Sequence, residues 1–354
     1  MPEPLVISID AMGGDHGPDV VVPGVEAARS TLGEATRYLL HGQGPAIEGA
    51  LARCGRLRSA IEVRHTDTVI PMDAKPAHAM RRGAGTSMWN AVASVKAGEA
   101  AAAVSAGNTG ALMAIGRLLL RMTGDMDRPA LVANWPTARG VTAVLDVGAN
   151  VLCDAPRLVE FAIMGAAYHR AVLGARRPSI GLLNIGTETE KGHEEVRGAD
   201  RVLRGADFDL DYRGFVEGDD IAKGTVDVIV TDGFTGNVAL KTAEGLARFF
   251  RDQLRGSLSE SLMARAGALL AAGSLRRMAA KLDPSAVNGG PFLGLRGVVV
   301  KSHGGADAAG FAAAIRLAAV LARSDFAAEV EGNLERLSAG IRPELAAAGE
   351  RSSA

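Results

Sequence analysis

The pattern V-[S/T]-x-G-x-T-G stands twice in the chain, at 104–110 and at 230–236, each time between a short apolar run and a segment of helical period. In the second copy Val226, Val228, Ile229 and Val230 form a β-branched run with little polar relief, which suits a strand buried on both faces of a parallel sheet. Asp232-Gly233-Phe234-Thr235-Gly236 then supplies a turn. Beyond it Ala239, Ala243, Leu246, Phe250 and Leu254 recur at helical spacing, with Lys241, Glu244, Arg248 and Arg251 mostly off that stripe. Strand, glycine turn and helix in this order aim backbone N–H groups and the positive end of a helix dipole at one spot, where an anion such as phosphate can sit. A single copy would need no more explanation than a tightened turn.

Four further apolar runs break at glycine in the same way: VISIDAMGGD (6–15), AVLDVGAN (143–150), GLLNIGTETEKG (181–192) and VVVKSHGGAD (298–307). The pattern predicts a doubly wound α/β sheet. In such a sheet the turns at the carboxyl ends of the strands line one crevice, so six turns read as the walls of a single active-site cleft.

Composition narrows what the cleft can serve. With 354 residues, 47% hydrophobic and 22% charged, the chain can bury a large core, as one α/β domain or two closely joined lobes. Aromatics at 4% leave little for base stacking, and a net charge of −1 gives no general attraction to nucleic acid. Cys54 and Cys153, without CxxC spacing, indicate neither a disulfide framework nor a zinc site and fit a reducing compartment, so a cytoplasmic location is expected. MPEPLVISID runs straight into a strand without a basic, apolar leader, and no stretch reaches the roughly 18 uninterrupted apolar residues of a membrane span. Membrane contact is therefore expected to be peripheral.

The turns carry the candidate chemistry. Asp10 and His16 bracket the first glycine turn, with Gly13 and Gly14 between them, as an acid/base or ligand-positioning pair or as ordinary turn formers. His41 and His65 lie at strand ends without a metal-ligand partner, and Arg81 and Arg82 face either an anionic ligand or solvent. In 104–110, Asn108, Thr109 and Gly110 offer side-chain and backbone donors above a helix N-terminus. The strand over 141–147 ends at Asp146, Gly148 and Asn150. The next turn delivers Gly186, Thr187 and, between two glutamates, Lys191, either a surface ion pair or a cation set to neutralise phosphate. Glu217, Asp219 and Asp220 read as metal ligands or as a solvated turn; the last turn contributes Lys301 and His303.

Residues 254–282 are rich in Leu, Ala, Met and Arg and predict one or two helices protruding, over about 254–284, from a single catalytic body that spans 1–335; 336–354 reads as a tail. Leu275, Met278, Ala279 and Leu282 share one side and Arg276, Arg277 and Lys281 the other, an arrangement that fits a dimer interface, an anionic membrane surface or an acidic partner. No GxGxxG follows a strand, and GxxxxGK[ST], GxSxG and HExxH are absent, so no nucleotide cofactor, metal or covalent acyl-enzyme is expected. Direct attack by or on a phosphate remains.

Six segments, IDAMGGDHGP (9–18), VSAGNTGALMA (104–114), LDVGAN (145–150), GLLNIGTETEKG (181–192), VTDGFTGNVALKT (230–242) and LRGVVVKSHGGAD (295–307), resemble in order those of the bacterial phosphate acyltransferases of phospholipid synthesis. The resemblance runs from about residue 5 to about 335; Gly305 departs from it, standing where serine is expected. It implies a three-layer α/β/α fold similar to isocitrate and isopropylmalate dehydrogenases and to phosphotransacetylases, a homodimer, and peripheral membrane association. It also implies reversible exchange of an acyl group between acyl carrier protein and inorganic phosphate, feeding a membrane-bound glycerol-3-phosphate acyltransferase. The alternatives are a phosphotransacetylase using acyl-coenzyme A and a nicotinamide-dependent decarboxylating dehydrogenase of the same fold.

On that reading phosphate lies against helix N-termini and Lys191, close to the thioester carbonyl. Asn237 and the backbone of 233–237, with Gly233, Thr235 and Gly236, stabilise the oxyanion, and Asn108 is a second candidate. His16 or His303 handles the proton.

Overall fold

The computed structural model describes residues 4–337 apart from Arg56, Asp125, 206–209 and 282–286. From the amino terminus come β1 (Val6–Asp10), α1 (Pro18–Leu32), β2 (Arg37–Gly42), α2 (Gly44–Leu51) and β3 (Ile61–His65). Then follow α3 (Pro76–Arg82), α4 (Ser87–Lys96), β4 (Ala102–Ser105) and α5 (Thr109–Leu120). The hairpin of β5 (Ala130–Thr137) and β6 (Gly140–Leu145) leads into α6 (Ala155–Leu173), β7 (Ser179–Leu183), α7 (Glu194–Gly205), β8 (Asp211–Val216), α8 (Gly218–Lys223) and β9 (Val228–Val230). Two long helices, α9 (Gly233–Ser257) and α10 (Leu262–Lys281), precede β10 (Gly290–Leu293), β11 (Val298–Lys301) and α11 (Ala308–Arg323), and a last helix covers 326–337.

The strands join one sheet in the order β3-β2-β1-β4-β11-β10-β5-β6-β9-β7-β8. Side chains alternate between its faces, as the period of a strand demands. Ala102, Val104, Val300, Leu145, Val228 and Val230 face one side, under α1, α6 and α11. Ala103 and Val299 face α4 and α5 on the other side, and Val144 and Ile229 join Ile221 of α8 there. The predicted three layers are therefore present. Every residue of α6 from Phe161 to His169 is buried, the mark of a helix covered all round.

The sheet is not uniformly parallel. Neighbours are parallel from β3 to β11 and again from β6 to β8, but β11 with β10, β10 with β5, and β5 with β6 are antiparallel. Three reversals leave the second parallel set running against the first.

A second correction concerns the protrusion. Only Gly233 and Gly236 of α9 are buried, and Leu246, Phe250 and Leu254 of its apolar stripe are exposed together with Phe249. The exposed arm thus begins inside α9, before residue 254, and continues past Leu258 into α10. In α10 Leu275 is half-buried and Met278 exposed; Leu282 lies outside the described residues. The acids of 217–220 form a capping box on α8, with Lys223 paired to Asp219 and Asp220, which accounts for them without a metal.

Gly165 sets how closely α6 approaches the sheet. A Cβ there would lie 2.6 Å from Val228 Cγ1 and 2.9 Å from Leu145 Cδ2. In an open helix Gly→Ala gains about 1 kcal/mol, whereas overpacking a core costs about 1–3 kcal/mol. Gly165→Ala is expected to lower the urea midpoint with an unchanged slope; a raised midpoint would show that this contact relaxes freely.

Candidate active site

Register brings the first group of residues level. Asp10 pairs with Ser105 across β1 and β4, and Ser105 with Lys301 across β4 and β11, so three strands end in one row. Asp10 is buried; it accepts Ser105 Oγ at 2.7 Å and the Met12 amide at 3.2 Å. Burial pushes its carboxyl above the ordinary carboxylate range against these hydrogen bonds. Lys301 Nζ donates to the carbonyls of Ala106, at 3.2 Å, and Ser302. Burial lowers its ammonium to about 8, opposed by the carboxylates of Asp10 and Asp15.

The three turns beyond this row pack backbone on backbone. A Cβ on Gly13 would meet the Gly107 nitrogen at 2.6 Å, and one on Gly14, whose φ is +86°, would meet Ala106 Cβ and the Gly304 carbonyl at 2.9 Å. The Asp15 amide donates to the Gly304 carbonyl at 2.9 Å. Only glycine fits at these approaches. His16 is exposed and lines a narrow crevice with Gly13, Ala106, Gly304 and Phe311. His303 is also exposed; its Nδ1 accepts the Gly305 amide at 3.2 Å, and its own amide donates to Asn288 Oδ1 at 3.1 Å.

Asn108 is committed elsewhere. Its Oδ1 accepts the Ala111 amide at 2.8 Å, capping α5, while Nδ2 donates to the Met72 and Ala74 carbonyls at 2.5 and 3.2 Å. Thr109 opens α5, and a Cβ on Gly110 would strike Pro76 Cγ at 2.8 Å, so this turn serves packing against α3.

The second group forms at the ends of β6, β9 and β7, which are also level: Leu145 pairs with Val230, and Val230 with Leu182. Its centre is Asp146, fully buried. This carboxylate accepts five hydrogen bonds, from the amides of Leu131, Gly148, Ala149 and Asn150 and from Asn150 Nδ2, at 2.6–3.1 Å. Burial raises its pKa against that hydrogen bonding. The first turn of α9 lies on this loop: Cβ atoms on Gly233 and Gly236 would come within 2.4 Å of the Asn150 carbonyl and 2.0 Å of the Asp146 carbonyl.

Here the expected oxyanion donors divide. The Gly233 amide bonds to the Asn150 carbonyl, the Thr235 amide and hydroxyl to the Asp232 carboxylate, and the Gly236 amide to the Asp232 carbonyl. Those backbone groups already have acceptors. Asn237 is half-buried, with Nδ2 2.6 Å from where a Cβ on Gly148 would stand, and among the described residues no hydrogen bond engages its side chain. Lys191 stands exposed in the β7 turn, 3.8 Å from Glu188 Oε1. The Asn184 amide secures that turn through the Lys191 carbonyl at 3.1 Å, with Gly186 buried and Thr187 exposed in it.

The six turns therefore fall into two groups, and the register puts the strand ends that carry them in neighbouring rows of the sheet, Leu145 level with Val300 through Val132 and Pro291. Three close around Asp10 and Lys301, and three follow the oppositely running strands around Asp146 and Asn237. Ser105, Asp146, Asp232 and Asn288 organise these groups and were not singled out as site residues; the signal for the two acids is an aspartate one or two residues after an apolar run, Asp146 after Leu145 and Asp232 after Val230-Thr231.

Comparison with known proteins adds identity to the geometry. The family described as fatty acid synthesis protein matches residues 5–329. The phosphate acyltransferase of Caulobacter vibrioides is 64% identical over 339 residues, covering 96% of this chain and 94% of its own; that of Phenylobacterium zucineum is 60% identical over 343 residues, 97% of each. Among solved structures, a phosphotransacetylase from Streptococcus pyogenes superposes with TM-score 0.63 at 18% identity, over 91% of this chain and 95% of its own. A branched-chain phosphotransacylase from Enterococcus faecalis gives 0.56 at 14%, over 90% and 99%. These two show the fold.

Lys301 yields a signed expectation. With its folded pKa near 8 and the unfolded value near 10.4, the folded chain binds fewer protons than the unfolded chain between those values. Stability therefore gains from rising pH across that window. Lys301→Met should remove this gain, so the wild-type minus variant stability is expected to increase from pH 8 to pH 10 in urea titrations; a flat difference would show an ammonium that is not desolvated.

Proposed function

We propose that this chain, a member of the bacterial phosphate acyltransferase family and an enzyme that transfers an acyl group to phosphate, takes that group from the thioester of acyl carrier protein. The transfer is reversible and direct, without a covalent acyl-enzyme. The observation that carries the site assignment is the uncommitted amide of Asn237, standing over Gly148 where neighbouring donors are already engaged. A phosphate oxygen attacks the thioester carbonyl carbon, the C–O bond forms, and the carbonyl electron pair moves to oxygen. Asn237 Nδ2 donates to that oxyanion. Collapse breaks the C–S bond, and the pair leaves on sulfur, which takes up a proton to become the thiol; thiolate is a stable enough leaving group that His16 or His303 need only assist. Lys191, cationic and exposed at the neighbouring turn, holds phosphate.

Asn237→Ala is expected to lower kcat by roughly 10²-fold, and Lys191→Ala to raise the KM for phosphate with a smaller loss in kcat. Acyl phosphate formation from acyl-carrier-protein and acyl-coenzyme A thioesters, measured side by side, checks both. Equal use of coenzyme A would overturn the donor assignment, and unchanged kinetics in folded variants would return the two residues to structural roles.

Two associations belong to the same reading. The stripe Leu246, Phe249, Phe250 and Leu254 is a large exposed apolar surface for one chain, which supports a homodimer through α9. Helix α10 carries Arg265, Arg276, Arg277 and Lys281 and no acid, which supports contact with an anionic membrane. Among the described residues no helix is long and apolar enough to cross a membrane. The enzyme would work as a cytoplasmic, peripherally bound protein, passing acyl phosphate to a membrane-bound glycerol-3-phosphate acyltransferase in phospholipid synthesis. Phe250→Glu is expected to yield monomers in light scattering. Leu275→Glu with Met278→Glu is expected to stop sedimentation with anionic vesicles and leave the dimer intact; dissociation would assign that face to the interface instead.

A further inference from the structure

Five large apolar side chains stand exposed around the turns of the second group: Val151, Leu152, Ile185, Phe234 and Val238. Leu152 is 87% and Phe234 63% exposed. They converge through bonds already described. Val151 and Leu152 follow Asn150, whose carbonyl accepts the Gly233 amide at 2.7 Å, so their loop runs beside Phe234. Ile185 follows Asn184 in the turn that leaves β7 beside β9. Phe234, Asn237 and Val238 stand at i, i+3 and i+4 on α9 and share one face of that helix. Asn237, the one amide here free of a hydrogen bond among the described residues, is thus flanked on its own helix by two exposed apolar side chains.

This juxtaposition is unfavourable in water and suits a ligand that has a polar acyl head and an apolar tail. We infer that Val151, Leu152, Ile185, Phe234 and Val238 form the acyl-chain subsite, a rim on which the methylenes nearest the carbonyl lie while the carbonyl itself meets Asn237. The inference rests on the proposed acyl transfer and deepens it: the rim makes the enzyme select by chain length. Its occupant is the substrate chain because the rim is continuous with the amide that receives the reacting carbonyl, whereas the apolar stripe of α9 begins two turns further along, at Leu246. The rim is open at the surface, so it grips the first part of a chain and leaves the distal end to whatever surface the protein approaches.

Two measurements test this on the full-length protein with Leu152→Ser and Val151→Ser, exposed rim residues that are not among the groups assigned to chemistry. Calorimetric titration with acyl phosphonates, stable analogues of acyl phosphate, reads the rim without turnover. The wild type is expected to bind the sixteen-carbon analogue at least about tenfold more tightly than the four-carbon one, and each variant to lose most of that ratio. With carrier-protein thioesters, kcat/KM should fall about tenfold for sixteen carbons and less than twofold for four. Equal binding of both analogues by the wild type, or equal losses at both chain lengths in the variants, would overturn the subsite. A change in oligomeric state with the chain-length ratio intact would give the rim to a second copy of the chain, and the proposal would fall. If the wild type binds the long analogue selectively yet forms no acyl phosphate from any thioester, the subsite stands and the donor reading fails.

Discussion

The antiparallel strip at the centre of the sheet is where the architecture is decided. Each strand must satisfy its N–H and C=O groups on both sides, so β10 and β5 cannot be skipped: they join β11 to β6 by pairing antiparallel to each neighbour. The consequence is directional. Turns that follow β1, β4 and β11 gather at the carboxyl ends of one set of strands, and turns that follow β6, β9 and β7 gather at those of a set running the other way. The two sets meet end to end, because Leu145 at the close of β6 is level with Val300 at the close of β11, so the turns form two stations that leave the same row of the sheet in opposite directions.

The stations share a design. In each a buried aspartate at the end of a strand, Asp10 closing β1 or Asp146 just after β6, collects donors from the residues around it. These carboxylates are costly to bury and are retained because they tie loops together. The groups proposed for the chemistry stand outside them: His16 and His303 beside Lys301 at one station, Asn237 and Lys191 at the other. Helix N-termini play a smaller part than their number suggests. Asp232 caps α9 and Asp307 caps α11, so carboxylates of the chain already hold amides that a phosphate would otherwise meet.

The strands were largely legible because β-branched runs ending at glycine leave few alternatives, and 226–230, 179–185 and 141–147 lie within a few residues of β9, β7 and β6. Pairing direction was not legible. ALVANWPT of β5 mixes Asn134 and Pro136 into its run, and the sense in which it pairs depends on Leu131 meeting Phe292, far along the chain. The hydrogen bonding of Asn108 and Asn237 was equally hidden. Both follow a glycine turn, yet Asn108 reaches the Met72 carbonyl 36 residues away and is thereby fixed, a distance no local pattern encodes. The stripe of α9 shows a third limit: period reveals that a helix has an apolar face, not what covers it.

Helix α9 is held over its first two turns, through Gly233, Gly236 and Leu240, and is mostly exposed beyond them, which makes it a beam clamped at one end. From Leu240 to Ser257 the outer arm is about 25 Å long at ~1.5 Å per residue. A sideways push of about 5 Å at the tip therefore tilts that arm by about 10°. Asn237 lies on the held side of the pivot and does not follow the tilt. The arm absorbs displacement rather than passing it inward. Whatever seizes its far end can shake, crowd or anchor it while the amide at its root keeps its aim.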